Sequence, residues 1–390
     1  MNISHLRPTW ICRLFLLALL GATTGCEFAS SDSRPAPSEP PDDGTPRPLW
    51  VDLYYPGWRQ DRYPPSQLDL TGVTHVIHFA WFPVIAADGT TLTIDDQQNG
   101  VGPDAAKAII DAGHAAGKKV LISVGGAGDG STYFNAAMAD DLRPTFIQTI
   151  IQMAVDRGYD GIDIDWEPEW ETIRPSIPLF QKFSRDLRAA VDTTAPHLML
   201  ATAGIASVGA AYGAISEVYD QVNIMTYDLV YGITVTWHDS AIAGGGGALY
   251  SADMSINEYR GAGVPSRKVG IGLKCGGFSW DNATEPLKNP MGGTPRSMTY
   301  TSIMTSSYSE DVYRWDEMSQ VPYLSIITPT PKFITFDDAR SAKAKIDFIR
   351  ANKIGGLIIW DASEQYFEAG DASGSKNPLL DAVKDAVGTN

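Results

Sequence analysis

The run Asp160-Gly-Ile-Asp-Ile-Asp-Trp-Glu167 sets three carboxylates, Asp163, Asp165 and Glu167, two residues apart. Ile162, Ile164 and Trp166 alternate with them. That is strand spacing, and residues at i, i+2 and i+4 of a strand share one face. The acids therefore line one side of a single strand, roughly 6–7 Å apart along it. Carboxylates crowded in this way repel, so one or more keeps its proton near neutral pH. A protonated acid beside an ionised one is what cleavage of a glycosidic bond requires. A solvated acidic strand fits poorly, because the intervening residues are large and apolar. A calcium loop also fits poorly: it needs Gly at the sixth position of a tight turn, and Gly161 is second in this run. No metal and no cofactor is expected.

Such an array needs a rigid frame. Short apolar runs bounded by turns recur at Trp50–Tyr55, Thr74–Trp81, Val120–Gly126, the acidic run itself, Leu198–Ala203, Gln221–Tyr227, Lys268–Leu273 and Gly355–Trp360. Helical spacing over 105–118, 145–157, 178–192, 339–352 and 379–387 separates many of them. Eight buried strands alternating with helices predict an α/β fold, a closed (β/α)8 TIM barrel. No Gly-rich phosphate loop follows the first strand, which argues against an open dinucleotide-binding sheet. Barrel chemistry sits at the C-terminal ends of the strands. Tyr54 and Tyr55, Trp81, Glu167, Tyr227 and Asp228, and Trp360 and Asp361 all fall there. Rings that stack on sugar faces and acids that bind hydroxyls suit a carbohydrate.

The ends carry other information. Arg7 and Arg13, an apolar run from Leu14 to Ala22 and then Thr-Thr-Gly-Cys26 read as a signal peptide over 1–25. Cys26 after Gly25 resembles a bacterial lipobox, which makes Cys26 the lipidation site of an outer-membrane or cell-surface lipoprotein. Plain cleavage would give a secreted protein instead. Residues 26–47, rich in Ser, Pro and acid, read as a disordered tether. Residues 48–390 form the catalytic domain, with a short insertion over about 279–321 after strand seven. The net charge of −16 argues against nucleic acid and anionic lipid as partners. The membrane is then reached only through a lipid anchor, and a monomer is expected. Cys275 is the one Cys outside the leader and lipobox, so the domain must fold without disulfides.

Taken together, these motifs resemble glycoside hydrolase family 18, the chitinase family. The acidic run fits DGxDxDxE, Ser123-Val-Gly-Gly126 fits SxGG, Met225-Thr-Tyr-Asp228 fits MxYD, Trp360 fits the Trp ending strand eight, and Tyr54-Tyr55 resembles the Tyr pair of strand one. The resemblance implies a retaining, substrate-assisted hydrolase acting on chitin or other N-acetylglucosamine oligosaccharides. Glu167 would be general acid and then base. Asp165 would orient the substrate acetamido N–H, Asp163 would share a proton with Asp165, and the Tyr227 hydroxyl would hold the acetamido carbonyl. Tyr54, Ser123, Gly125, Gly126, Met225, Asp228 and Trp360 are the implied substrate-binding residues. Ser123 and the two glycines suit strand packing equally well, and Met225 suits the core. The alternatives are an endo-β-N-acetylglucosaminidase acting on N-glycans and a non-catalytic chitin-binding lectin of the same fold.

Four features sit outside the pattern. Leu273-Lys-Cys-Gly-Gly-Phe278 departs from the Pro-aromatic-Tyr-Gly-Arg-like run usual after strand seven, so Lys274 either pairs with a pocket acid or lies along the wall. The insertion reads as short and poorly structured, which predicts a shallow groove and endo-type cutting. Trp166 and Trp170 suit either subsite contacts or packing, and His75 and His78 read as buried, hydrogen-bonded side chains.

Overall fold

The computed structural model describes residues 48–289 and 293–388. The predicted signal peptide, Cys26 and the tether lie outside the described residues. The barrel strands are β1 (Trp50–Pro56), β2 (His75–Ile85), β4 (Lys119–Gly125), β5 (Gly161–Asp165), β6 (Met199–Ile205), β7 (Gln221–Met225), β8 (Val269–Lys274) and β14 (Gly356–Trp360), while β3 (Leu92–Asp95) forms a hairpin with β2. All barrel pairings are parallel, and β1 bonds both β2 and β14, which closes the ring. The expected (β/α)8 barrel is what forms.

Each strand is buried on both faces, which is why the sequence shows near-continuous apolar runs. Val51 and Leu53 of β1, Val120 and Ile122 of β4, and Ile162 and Ile164 of β5 point outward into the layer beneath the helices. Tyr54, Ile77, Leu121, Ala201 and Ile358 point inward and fill the barrel, with Met225 and Trp360 packed on them. The period of two therefore turns Asp163 and Asp165 inward because their Ile neighbours face the helices. At the N-terminal end, His75 Nδ1 lies 2.9 Å from Asp52, which also accepts from Asn223 at 3.0 Å. His78 Nδ1 lies 2.7 Å from the Tyr159 hydroxyl. Both histidines are structural, as expected.

Two elements differ from the sequence expectation. The helix expected from Pro178 starts at Trp170 and runs to Thr194, with Pro175 and Pro178 inside it. Its buried stripe, Ile173, Phe180, Phe183, Leu187 and Val191, recurs at helical spacing and packs against the barrel, overriding the proline signals. The insertion is also larger than 279–321. It spans β9 (Gly276–Asp281), β10 (Arg296–Thr299), a helix at Tyr300–Ser306, β11 (Tyr313–Asp316), β12 (Val321–Ile326) and β13 (Lys332–Phe336), in antiparallel order β10-β9-β13-β12-β11. Phe278, Trp280 and Phe333 fill its core with Val230. These strands are only four to six residues long, and runs that short give too little periodicity to be told from loop. The ground for a shallow groove, and with it for endo-type cutting, is therefore withdrawn.

Candidate active site

Register sets the centre of the site. Ser123 of β4 lies opposite Asp163 of β5, and Gly125 opposite Asp165. Asp163 is fully buried. One of its oxygens accepts hydrogen bonds from Ser123 Oγ at 2.9 Å and from the Tyr54 hydroxyl at 3.0 Å. Burial pushes its carboxyl up to about 7, against the pull of those two donors. Tyr54 and Ser123 are themselves buried. Both hydroxyls are spent on Asp163, and the Tyr54 ring also lies beside Trp360.

Asp165 turns toward Glu167 and is hydrogen-bonded to it rather than to Asp163. Burial, then the charges of Glu167 and Asp163, drive the Asp165 carboxyl well above its ordinary value, so Asp165 keeps the proton and donates it. Glu167 lies two residues beyond the end of β5. Burial and then the charge of Asp228 raise it to about 7, while the bonds from Asp165 and the Ala127 N–H act the other way.

Gly125 and Gly126 are set by the backbone geometry here. Gly125 has φ 112°, and a Cβ there would come 2.0 Å from the Asp165 carbonyl oxygen. The Gly126 N–H donates to that same oxygen at 2.8 Å. The pair lets β4 bend tightly over the end of β5.

The opposite side comes from β7, β8 and β14. The Tyr227 ring sits against Gly272 of β8, where a Cβ would lie 2.4 Å from Tyr227 Cδ1. Burial, then Asp165 and Asp228, push the Tyr227 hydroxyl well up, so it stays a donor. Met225 and Trp360 cap the barrel interior. The Trp360 ring lies 5.6 Å from Tyr54 and meets the edge of Phe79 at 4.9 Å. Asp228 adopts φ 58°, its N–H donates to Asp239 Oδ1 at 2.9 Å, and its carboxylate pairs with Lys274.

Trp166 is no subsite contact. It is buried, stacked on Phe180 at 4.3 Å, and donates from Nε1 to Asn135 at 2.9 Å. Trp170 is 64% exposed at the start of its helix. Sequence reasoning missed Trp58, which stands 42% exposed just past β1 with its edge on Phe79 at 5.9 Å. It also missed Asp239, which lies in the irregular segment after β7, where no periodicity marks it. Among the described residues, no set of three or more His, Cys, Asp or Glu is arranged to hold a metal ion.

Two carboxyl groups side by side, a tyrosine hydroxyl near both and a tryptophan ring thus gather at one barrel mouth. The sequence model of Glycosyl hydrolases family 18 matches residues 51–365. The chain belongs to this family. It is 26% identical to a chitinase-like effector of Moniliophthora roreri, over 86% of this chain and 92% of that one. It is 25% identical to Chitinase 1 of Aphanocladium album, over 80% of each. Among solved structures, the Ostrinia furnacalis Group IV chitinase superposes with a TM-score of 0.73 at 21% identity, over 87% of this chain and all of that one. The likeness in structure extends the shared fold across the whole domain.

Proposed function

We propose that this family 18 member is a catalytically active, retaining hydrolase of β-1,4-linked N-acetylglucosamine chains. The observation that carries the reading is the hydrogen-bonded Asp165–Glu167 pair, with Glu167 raised to about 7 at the mouth of the barrel. A group poised near the operating pH is suited to give a proton and then take one back. Glu167 protonates the leaving oxygen. The substrate's 2-acetamido oxygen attacks the anomeric carbon, with Asp165 bonding its N–H and the Tyr227 hydroxyl its carbonyl oxygen. Glu167 then removes a proton from the water that opens the ring intermediate, so the anomeric configuration is retained. Trp360 stacks under the reacting sugar.

A second reading, a sugar-binding protein without turnover, is favoured by the relative named a chitinase-like effector. The experiment is to incubate residues 48–390 with chitin oligosaccharides, follow products by mass and read the first-formed anomer by NMR. Cleavage with retention is expected. Binding without cleavage gives the lectin reading, and cleavage confined to a high-mannose glycopeptide gives the endo-β-N-acetylglucosaminidase reading. Export with lipidation at Cys26 belongs to the same proposal, because an anchored hydrolase meets its polymer outside the cell.

A further inference from the structure

Lys274, the last residue of β8, is only 4% exposed, and its ammonium meets both a carboxylate and an aromatic ring. It pairs with Asp228 and lies 4.2 Å from the centre of the Phe278 ring on β9. Its backbone N–H donates to Asp337 Oδ2 at 3.3 Å, and Asp337 is itself paired with buried Lys345 at 2.7 Å. Asp228 is clamped from its other side. Asp239 accepts the Asp228 N–H at 2.9 Å, its carbonyl takes the Leu229 N–H at 3.0 Å, and its own N–H donates to Thr335 of β13 at 3.1 Å. These bonds hold Asp228 at φ 58°, a left-handed conformation that non-glycine residues adopt at a cost. Tyr227, which faces Asp165 and Glu167, is the residue immediately before that turn.

Building on the proposed reaction, we propose that Lys274 is a positioning residue that acts through Asp228. It fixes the turn that aims Tyr227 and neutralises the carboxylate facing Glu167. The charged groups around it come from every neighbouring element. Asp228 and Asp239 follow β7, and Glu364 lies beyond β14. Glu364 in turn faces Asp361 and Arg59. Asp239 also faces Asp337. Glu167 feels Asp228 from this cluster. The Lys274–Asp228 pair carries no net charge. Without the lysine it becomes negative, and a negative neighbour makes Glu167 harder to ionise.

The test compares Lys274→Met and Lys274→Arg with wild type on chitin oligosaccharides from pH 4 to 9, separating kcat from KM. For Lys274→Met, kcat falls about tenfold or more, on the scale by which displacing an aligned group by ~1 Å costs ~10²-fold. Its alkaline limb moves to higher pH by about half a unit or more, the scale of one uncompensated charge nearby. Lys274→Arg restores most of kcat and the limb. A folded Lys274→Met enzyme with wild-type kcat and limb overturns the proposal, as does a folded Arg variant that rescues neither. If Lys274→Met does not fold, Asp228→Asn decides: it removes the charge facing Glu167, so the limb must move to lower pH, and an unmoved limb is fatal. A wild type that binds oligosaccharides without cutting them sinks the catalytic reading instead. Lys274 is then judged by the pH dependence of binding in the same variants, measured by calorimetry, and a curve unchanged by Lys274→Met overturns it.

Discussion

Ser123 Oγ donates to Asp163 at 2.9 Å from the position directly opposite on the neighbouring strand, and the Tyr54 hydroxyl reaches the same oxygen from β1. Two donors on one buried carboxyl oxygen leave Asp163 well held, while its other oxygen has no partner. In the native state this group keeps its proton up to about pH 7, whereas an unfolded Asp loses it near its ordinary value of about 4. The stabilisation linked to that proton is fully present below about pH 4 and is lost as pH rises through about 7.

Asp163→Asn should therefore gain thermal stability over wild type at pH 8 and gain little at pH 4. An amide oxygen can accept both hydrogen bonds, and it carries no charge to bury at either pH. Tm at pH 8 should rise by about 2 °C or more, since ~1 kcal/mol moves a domain of this class by ~2–4 °C. Turnover at pH 8, where wild-type Asp163 is ionised, should drop by about tenfold or more, because the neighbouring charge that helps keep Asp165 protonated is gone. Differential scanning calorimetry at the two pH values and initial rates check both halves.

Glu167 must carry a proton to act as the acid, so kcat/KM should fall about tenfold per pH unit above about 7. The limb belongs to the Asp165–Glu167 pair rather than to either residue alone. Glu167→Gln should cost ~10²–10⁴-fold in kcat and abolish that limb. Oligosaccharide binding and the circular dichroism spectrum should stay as in wild type. Residual activity above about a hundredth of wild type would remove Glu167 from the role of acid.

The acidic strand was legible because alternation along one strand is a purely local signal. Ile162 and Ile164 belong under the helices, so Asp163 and Asp165 had to face the barrel interior. Contacts across the barrel were not legible. Nothing in the spacing says that the Tyr54 hydroxyl ends on Asp163, because that contact depends on closure of the sheet. Trp166 misled for a related reason. Its place beside Glu167 suggests a ligand contact, but the odd position of the strand turns it outward onto Phe180. The insertion was underestimated because its strands are only four to six residues long and pair with partners far along the chain, as β9 does with β13.

Gly125→Ala should unfold or severely destabilise the domain rather than merely weaken substrate binding. The added Cβ would meet the Asp165 carbonyl oxygen at 2.0 Å, and φ 112° is closed to side-chain-bearing residues. Backbone cannot retreat as a flexible side chain can, so a loss of about 3 kcal/mol or more is expected, at the upper end of single substitutions. Chemical denaturation measures it. A variant with wild-type stability and raised KM would make Gly125 a substrate contact instead.

Trp58→Ala should act on KM for longer oligosaccharides and leave the chemistry alone. The ring stands 42% exposed past β1, with its edge on Phe79, and Phe79 in turn meets the Trp360 ring. Trp58, Phe79 and Trp360 thus form an aromatic path that begins under the reacting sugar and leads out of the barrel mouth. A chain long enough to follow the path would stack on its outer ring, and a short one would not reach it. Such a stack contributes ~0.5–1.5 kcal/mol, so KM should rise roughly 2–10-fold for long chains and stay unchanged for the shortest one cleaved. The Tm and the alkaline limb should not move, because Trp58 stands exposed with its ring against Phe79. Equal KM effects at every chain length would mean that Trp58 supports Phe79 instead of binding sugar.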